Sequence, residues 1–132
     1  MVYVGIDMIE IERIRHAFER YGQRFLDRIY TPREQAYCRG RAPQLASRFA
    51  AKEAVMKLLG TGVRGVAWRE IEVVRARGRA PEVLLHDRAL LRAGHMGIVR
   101  IAISLSHSRE LAIASCVGET AGGSGLPPSS ER

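Results

Sequence analysis

Residues 48–62 read RFAAKEAVMKLLGTG, an apolar helical run with a lysine and a glutamate inside it and a glycine-rich close. At 100° per residue, Ala51, Ala54, Val55, Leu58 and Leu59 fall on one stripe. The spacing predicts a helix from about Gln44 to Leu59 that buries this stripe and stops at Gly60. Glu53 and Lys57, four apart, border one flank of the stripe, and Arg48 and Lys52 border the other. Glutamate followed by lysine at this spacing also makes an ordinary surface pair, contributing roughly 0.3 kcal/mol. The GTGVRG that follows adds a second signal, because small residues with free backbone amides let a phosphate approach closely. It lacks the Gly-Lys-Ser ending of a P-loop and follows a helix, which excludes a Walker-type site.

Toward the N-terminus, residues 2–9 (VYVGIDMI) alternate at strand period. Asp7 stands near the end of this apolar strand, where an ionised group is costly to bury without compensation. It serves either to cap the following helix or to join another carboxylate in holding a hard cation such as magnesium, which takes one or two protein carboxylates while phosphates and waters complete its octahedron. From Glu10 to about Tyr30, Ile11, Ile14, Phe18, Tyr21 and Phe25 recur at helical spacing, with Gly22 as a weak point. Thr31-Pro32-Arg33-Glu34 is a capping box opening a short helix to about Cys38.

Toward the C-terminus the pattern turns to sheet. WREIEVVRA (68–76) and EVLLH (82–86) read as strands joined by the turn RGRAP, and Asp87 to about Ala93 reads as a short helix. VRIAISLS (99–106) and LAIASCV (111–117) form a hairpin whose turn carries Ser106, His107 and Ser108. The segment 119–132, rich in glycine, proline and serine, reads as a disordered tail after a domain spanning residues 1–118. The order β-α-α-α-β-β-α-β-β implies an α+β domain with a mainly antiparallel sheet and helices packed on one side.

The whole chain bounds the function. Its 132 residues, 46% hydrophobic, make one domain with a modest core, for which oligomerisation would bury further surface. Cys38 and Cys116 lack metal-ligand spacing and read as free thiols of a cytoplasmic protein. His16, His86, His95 and His107 show no zinc-binding pattern. The net charge of +7, carried mostly by arginine, favours an acidic partner. A nucleic-acid-binding module would share that charge, but recognition motifs are missing and aromatics make up only 6% of residues.

GIDMIEIERI (5–14), FAAKEAVMKLLGTG (49–62), the Trp68–Val73 segment with its EIEV, and SLSHS (104–108) together resemble the holo-acyl-carrier-protein synthase family of 4'-phosphopantetheinyl transferases, in one register over residues 2 to about 118. The resemblance implies that fold and the transfer of the phosphopantetheine arm of coenzyme A to a serine of an acyl carrier protein, with magnesium as cofactor and adenosine 3',5'-bisphosphate released, in fatty acid biosynthesis. By resemblance Asp7 and Glu53 are the magnesium ligands and Lys57 lies by the pyrophosphate. Arg48, Ser106 and His107 contact the nucleotide, and Gly60, Thr61 and Gly62 line its pocket. The chemistry is phosphoryl-transfer logic applied to a diester: a cation and a lysine neutralise charge as the acceptor oxygen attacks the β-phosphorus. The serine's proton passes to a metal-bound water or to Asp7. The resemblance also implies a homotrimer with active sites between subunits. Glu70, where aspartate is common, and His86, where a small residue is usual, depart from the family pattern. A magnesium-dependent nucleotide hydrolase would use the same carboxylates with water as acceptor. On the first helix, Arg13, Arg20, Arg24 and Arg28 fall within about 80° of one another, a basic stripe that would guide an acidic acyl carrier protein to the metal.

Overall fold

The computed structural model describes residues 1–121. Strand β1 (Val2–Glu10) leads into helices α1 (Ile11–Tyr21) and α2 (Gln23–Ile29), then α3 (Pro32–Cys38) and the central α4 (Ala42–Leu59). A one-turn helix α5 (Gly62–Gly65) and a 3-10 turn (Trp68–Glu70) precede strands β2 (Ile71–Val74) and β3 (Glu82–Leu85). Helix α6 (Asp87–His95) and the hairpin β4 (Ile98–His107) and β5 (Leu111–Thr120) complete the described chain. The strands form two antiparallel sheets rather than one, a three-stranded β1-β5-β4 and a two-stranded β2-β3.

The long sheet has two unlike faces, because its register aligns residues of one parity. Tyr3, Gly5, Asp7 and Ile9 stand opposite Gly118, Cys116, Ala114 and Ala112 and face α4. Val4, Ile6 and Met8 stand opposite Val117, Ser115 and Ile113 and face away. The inner face is small so that α4 can come close. A methyl group on Gly5 would lie 2.0 Å from the Ala54 carbonyl oxygen and 3.0 Å from Cys116 Sγ, so only glycine lets strand and helix touch there.

Helix α4 is enclosed more fully than its sequence predicts. Instead of one buried stripe flanked by charges, thirteen of its residues are buried, Arg48 and Lys52 among them. The line that reaches solvent in its second half is Phe49, Glu53 and Lys57. The reason is tertiary: β1 and β5 cover one side, and α1, α3, β2 and α6 cover others.

Three local readings change. Gly22, at φ 57° and ψ −132°, ends α1 and opens α2, so the expected helix from Glu10 to Tyr30 is two helices with different axes. Trp68–Glu70 form a 3-10 turn ahead of β2 rather than part of a strand. Strand β5 runs through Glu119 and Thr120, which stand opposite Arg100 and Ile98, so these two residues belong to the sheet and not to the expected tail. The remainder of that segment, 122–132, lies outside the described residues. The capping box is present as read: Glu34 N–H donates to Thr31 Oγ1 and Thr31 N–H to Glu34 Oε1.

Candidate active site

Asp7 reaches the seam between β1 and α4 because strand alternation turns it to the helix side, two residues beyond the close approach at Gly5. It does not cap α1, whose N-cap is Glu10 and makes no side-chain bond. Lys57 Nζ donates to Asp7 Oδ1 at 2.9 Å and to the Ile6 carbonyl at 3.2 Å. Glu53, one turn earlier on α4, completes the group. Burial and the neighbouring Asp7 carboxylate push the Glu53 carboxyl up, while Lys57 and Arg13 pull it back down. The bond to Asp7 holds the Lys57 ammonium above its ordinary value, so it stays charged at neutral pH. The residues drawn together are thus two carboxylates and a lysine bonded to one of them, with Arg13 of α1 lowering the other.

The remaining predicted positions divide. Gly60 adopts the left-handed conformation as the C-cap of α4. The amides of Gly60 and Thr61 bond back to Lys57 and Met56, so they close the helix and are not the free donors expected of a phosphate cradle. Gly62, also at positive φ, opens α5. The Thr61 hydroxyl is buried without a partner. Arg48 does not flank the helix in solvent. It is 4% exposed, its guanidinium lies 4.3 Å over the Tyr37 ring, and its Nη2 is buried without a hydrogen-bond partner.

Ser106 and His107 sit at the end of β4, two strands away from β1. Ser106 stands opposite Ile113 and shares the outer face, away from Asp7. The fold of one chain therefore does not bring Ser106 to the Asp7–Glu53–Lys57 group. The four arginines likewise do not form one stripe, because the break at Gly22 separates Arg13 and Arg20 on α1 from Arg24 and Arg28 on α2. Arg20 lies 5.4 Å over the Tyr21 ring. Arg24 and Arg28 edge an open groove of about 630 Å³ floored by Ala17, Tyr21, Phe25 and Trp68.

A model of the 4'-phosphopantetheinyl transferase superfamily matches residues 3–116. The chain belongs to this superfamily. It is 48% identical over 119 residues to the holo-[acyl-carrier-protein] synthase of Dehalococcoides mccartyi, covering 90% of this chain and 99% of that one. It is likewise 48% identical to that of Gloeobacter violaceus, covering 85% and 88%. Among solved structures, the Helicobacter pylori holo-[acyl-carrier-protein] synthase in complex with coenzyme A superposes with a TM-score of 0.80 at 29% identity, over 88% of this chain and 99% of that chain. The Neisseria meningitidis enzyme gives 0.82 at 33%, over 91% and 100%.

Two features of this superfamily member escaped the sequence reading. Lys52 is wholly buried against Glu34, with Nζ 2.7 Å from Oε1, where helical spacing had put it on a flank. Glu70 and Glu72 organise the rim of α6. Glu70 accepts from Ala67 N–H, Ala89 N–H and Arg88, and Glu72 accepts from Thr31 Oγ1 and pairs with His86. Burial raises both carboxyls, yet these bonds outweigh it and hold both below the ordinary glutamate value. The departures at 70 and 86 thus belong to a structural brace.

Proposed function

We propose that this chain is a holo-acyl-carrier-protein synthase that transfers the 4'-phosphopantetheine arm of coenzyme A to a serine of an apo acyl carrier protein, releasing adenosine 3',5'-bisphosphate, in fatty acid biosynthesis. The observation that carries the reading is the convergence of Asp7, Glu53 and Lys57 at the β1–α4 seam in a chain of this superfamily. In the transfer, the serine oxygen attacks the β-phosphorus, the bond to the bridging oxygen breaks, and the nucleotide departs with the electron pair. The serine's proton goes to Asp7 or to a water beside it. Lys57, held charged, stabilises the developing charge on the leaving phosphate. Arg48, with its unused Nη2, is a donor for a nucleotide phosphate, and Gly60, Thr61 and Gly62 supply the small edge of that pocket.

Asp7 and Glu53 fit a magnesium ion. Their carboxylates repel one another, Lys57 and Arg13 relieve this only in part, and hard oxygen donors in this number suit magnesium with phosphate and water as its other ligands. Among the described residues no group of three or more His, Cys, Asp or Glu side chains gathers, so the ion would rest on these two. When bound, magnesium supplies charge neutralisation for the pyrophosphate.

The active assembly is a homotrimer with sites between subunits. What supports this is the outer sheet face, where Val2, Val4, Ile6 and Met8 are each at least 58% exposed beside Ile113 and Val117, an apolar patch of the kind that marks an interface. The acidic carrier protein docks on the groove edged by Arg24 and Arg28, with Arg13 and Arg20 on the adjoining helix. The cytoplasm is the location, supported by the buried free thiols of Cys38 and Cys116. No helix among the described residues is long and apolar enough to cross a membrane.

Mass spectrometry of an apo acyl carrier protein after incubation with coenzyme A and magnesium tests the reading. The expected result is a gain of one phosphopantetheine, lost in Glu53→Ala. Nucleotide release without that gain would establish a hydrolase, and neither would leave a binding module. Near wild-type turnover of Glu53→Ala at limiting magnesium would overturn the metal assignment.

A further inference from the structure

Of the 21 lysine and arginine residues in the chain, only Lys52 and Lys57 are lysines, and both lie on α4. Lys57 is at the site described above. Lys52 is 0% exposed, and its ammonium has three acceptors: Glu34 Oε1 at 2.7 Å, the Trp68 carbonyl at 3.1 Å and the Ile71 carbonyl. Three acceptors match the three N–H bonds of an ammonium, so the buried cation is fully satisfied. Glu34 is satisfied too, since its Oε1 also accepts from Thr31 N–H and its Oε2 accepts from Val73 N–H at 2.7 Å. A pair this deep ties α3, α4, the 3-10 turn and β2 to one point.

Other contacts also hold α4, with Leu45, Val55, Met56, Leu58 and Leu59 buried along it. Its buried surface includes Ala42, Ala46, Ala50, Ala51 and Ala54, whose single methyl groups make shallow ridges. On the β1 side it rests on Gly5, which has no side chain at all. These alanine and glycine contacts by themselves bring the helix close without fixing its azimuth or its height along the axis. The directional bonds of Lys52 do both. Glu53 is the next residue, 100° around the helix, and Lys57 one turn further on the same line. A rotation of about 20° at a side-chain radius of 5–6 Å displaces the Glu53 carboxylate by ~2 Å, and misplacement by 1 Å in a catalytic geometry can cost roughly 100-fold.

We propose that Lys52, through its buried bonds to Glu34, Trp68 and Ile71, is a positioning residue that sets the rotation of α4 and so presents Glu53 and Lys57 to Asp7. The proposal rests on the reading of Asp7 and Glu53 as the metal-holding pair. It also accounts for a lysine in an arginine-rich chain: a compact point charge with three donors fits among three converging oxygens, and a planar guanidinium does not.

The test is the charge-neutral double variant Lys52→Met/Glu34→Gln, which removes both buried charges together and keeps similar volumes, a replacement that buried pairs often tolerate in stability. Three quantities are measured: melting temperature, Mn2+ affinity of the free enzyme by electron paramagnetic resonance, and steady-state kinetics. The expected result is a cooperatively folded protein with Mn2+ affinity and kcat each lowered about 10-fold or more and KM for the carrier protein unchanged. A folded double variant with wild-type Mn2+ affinity and kcat overturns the proposal. Should the double variant not fold, Lys52→Arg keeps the charge and the partner but crowds the carbonyls. Lowered Mn2+ affinity in folded Lys52→Arg supports positioning, and wild-type affinity overturns it. If neither variant folds, the pair is a folding requirement only and the proposal falls. Glu53→Ala is the control: if it retains Mn2+ affinity and turnover, the metal site itself is wrongly placed, whereas its failure beside an unaffected double variant sinks the positioning idea alone.

Discussion

At the scale of single residues, the clearest division is between the two lysines of α4. Lys57 has a 59% exposed side chain and bonds to Asp7, whose side chain is 13% exposed, so its worth to stability is small and screened by solvent. In the proposed reaction it supplies a fixed positive charge beside the two carboxylates. Lys57→Met is therefore expected to lower kcat by a factor on the order of 100 while leaving the melting temperature within the scatter of ordinary surface substitutions. Stopped assays with coenzyme A paired with thermal melts check this, and equal activity across pH would return Lys57 to an ordinary surface pair. The pairing itself was only half legible. Helical spacing put Glu53 and Lys57 together, yet Lys57 Nζ bonds across the seam to Asp7, because the strand brings a competing carboxylate no sequence distance could reveal.

At the scale of elements, the break at Gly22 decides how the basic residues act. A glycine within an amphipathic run reads as a weak point, but whether it bends the axis depends on what each half packs against. Here α1 packs on α4 while α2 contacts the Trp68–Glu70 turn, and the two helices cannot satisfy both on one axis. Arg24 and Arg28 consequently edge the groove floored by Phe25 and Trp68. Arg13 on α1 lowers the Glu53 carboxyl, the weakest of the influences on it. Charge reversal at Arg24 is expected to raise KM for the acyl carrier protein, leave KM for coenzyme A unchanged and flatten the salt dependence, since steering between exposed charges is screened over about 8 Å at physiological ionic strength. Reversal at Arg13 is expected to lower kcat too. If Arg24→Glu disturbs coenzyme A instead, the groove is part of the nucleotide site.

At the scale of the whole molecule, the outer face of β1-β5-β4 is the feature a single chain leaves unresolved. Val4, Ile6 and Met8, 69%, 63% and 58% exposed, would be core residues if alternation alone assigned burial, since they are the apolar members of β1. The glycine and aspartate parity faces the helix instead, because α4 comes so close to β1 that only glycine fits at position 5. Ile6→Lys is expected to leave the protomer folded, convert a trimer to monomers in analytical ultracentrifugation, and abolish transfer by removing a neighbour's contribution. A monomeric variant with full activity would show that each chain carries its own complete site.

What the sequence by itself determined is local and periodic: the capping box at Thr31, the strand carrying Asp7, the Glu53–Lys57 spacing, the Gly60 stop and the closing hairpin all follow from backbone preference and side-chain period. The family was equally legible, because its motifs are short runs of fixed order. The tertiary structure alone decided which face of β1 is inner, that Lys52 and Glu34 meet 18 residues apart inside the core, that the Gly60 and Thr61 amides close the helix, and that Ser106 faces away from Asp7. Each of these depends on what packs across from a residue. A buried charge is tolerable only where its partners converge, and convergence is a property of elements brought together, which periodicity along one of them does not encode.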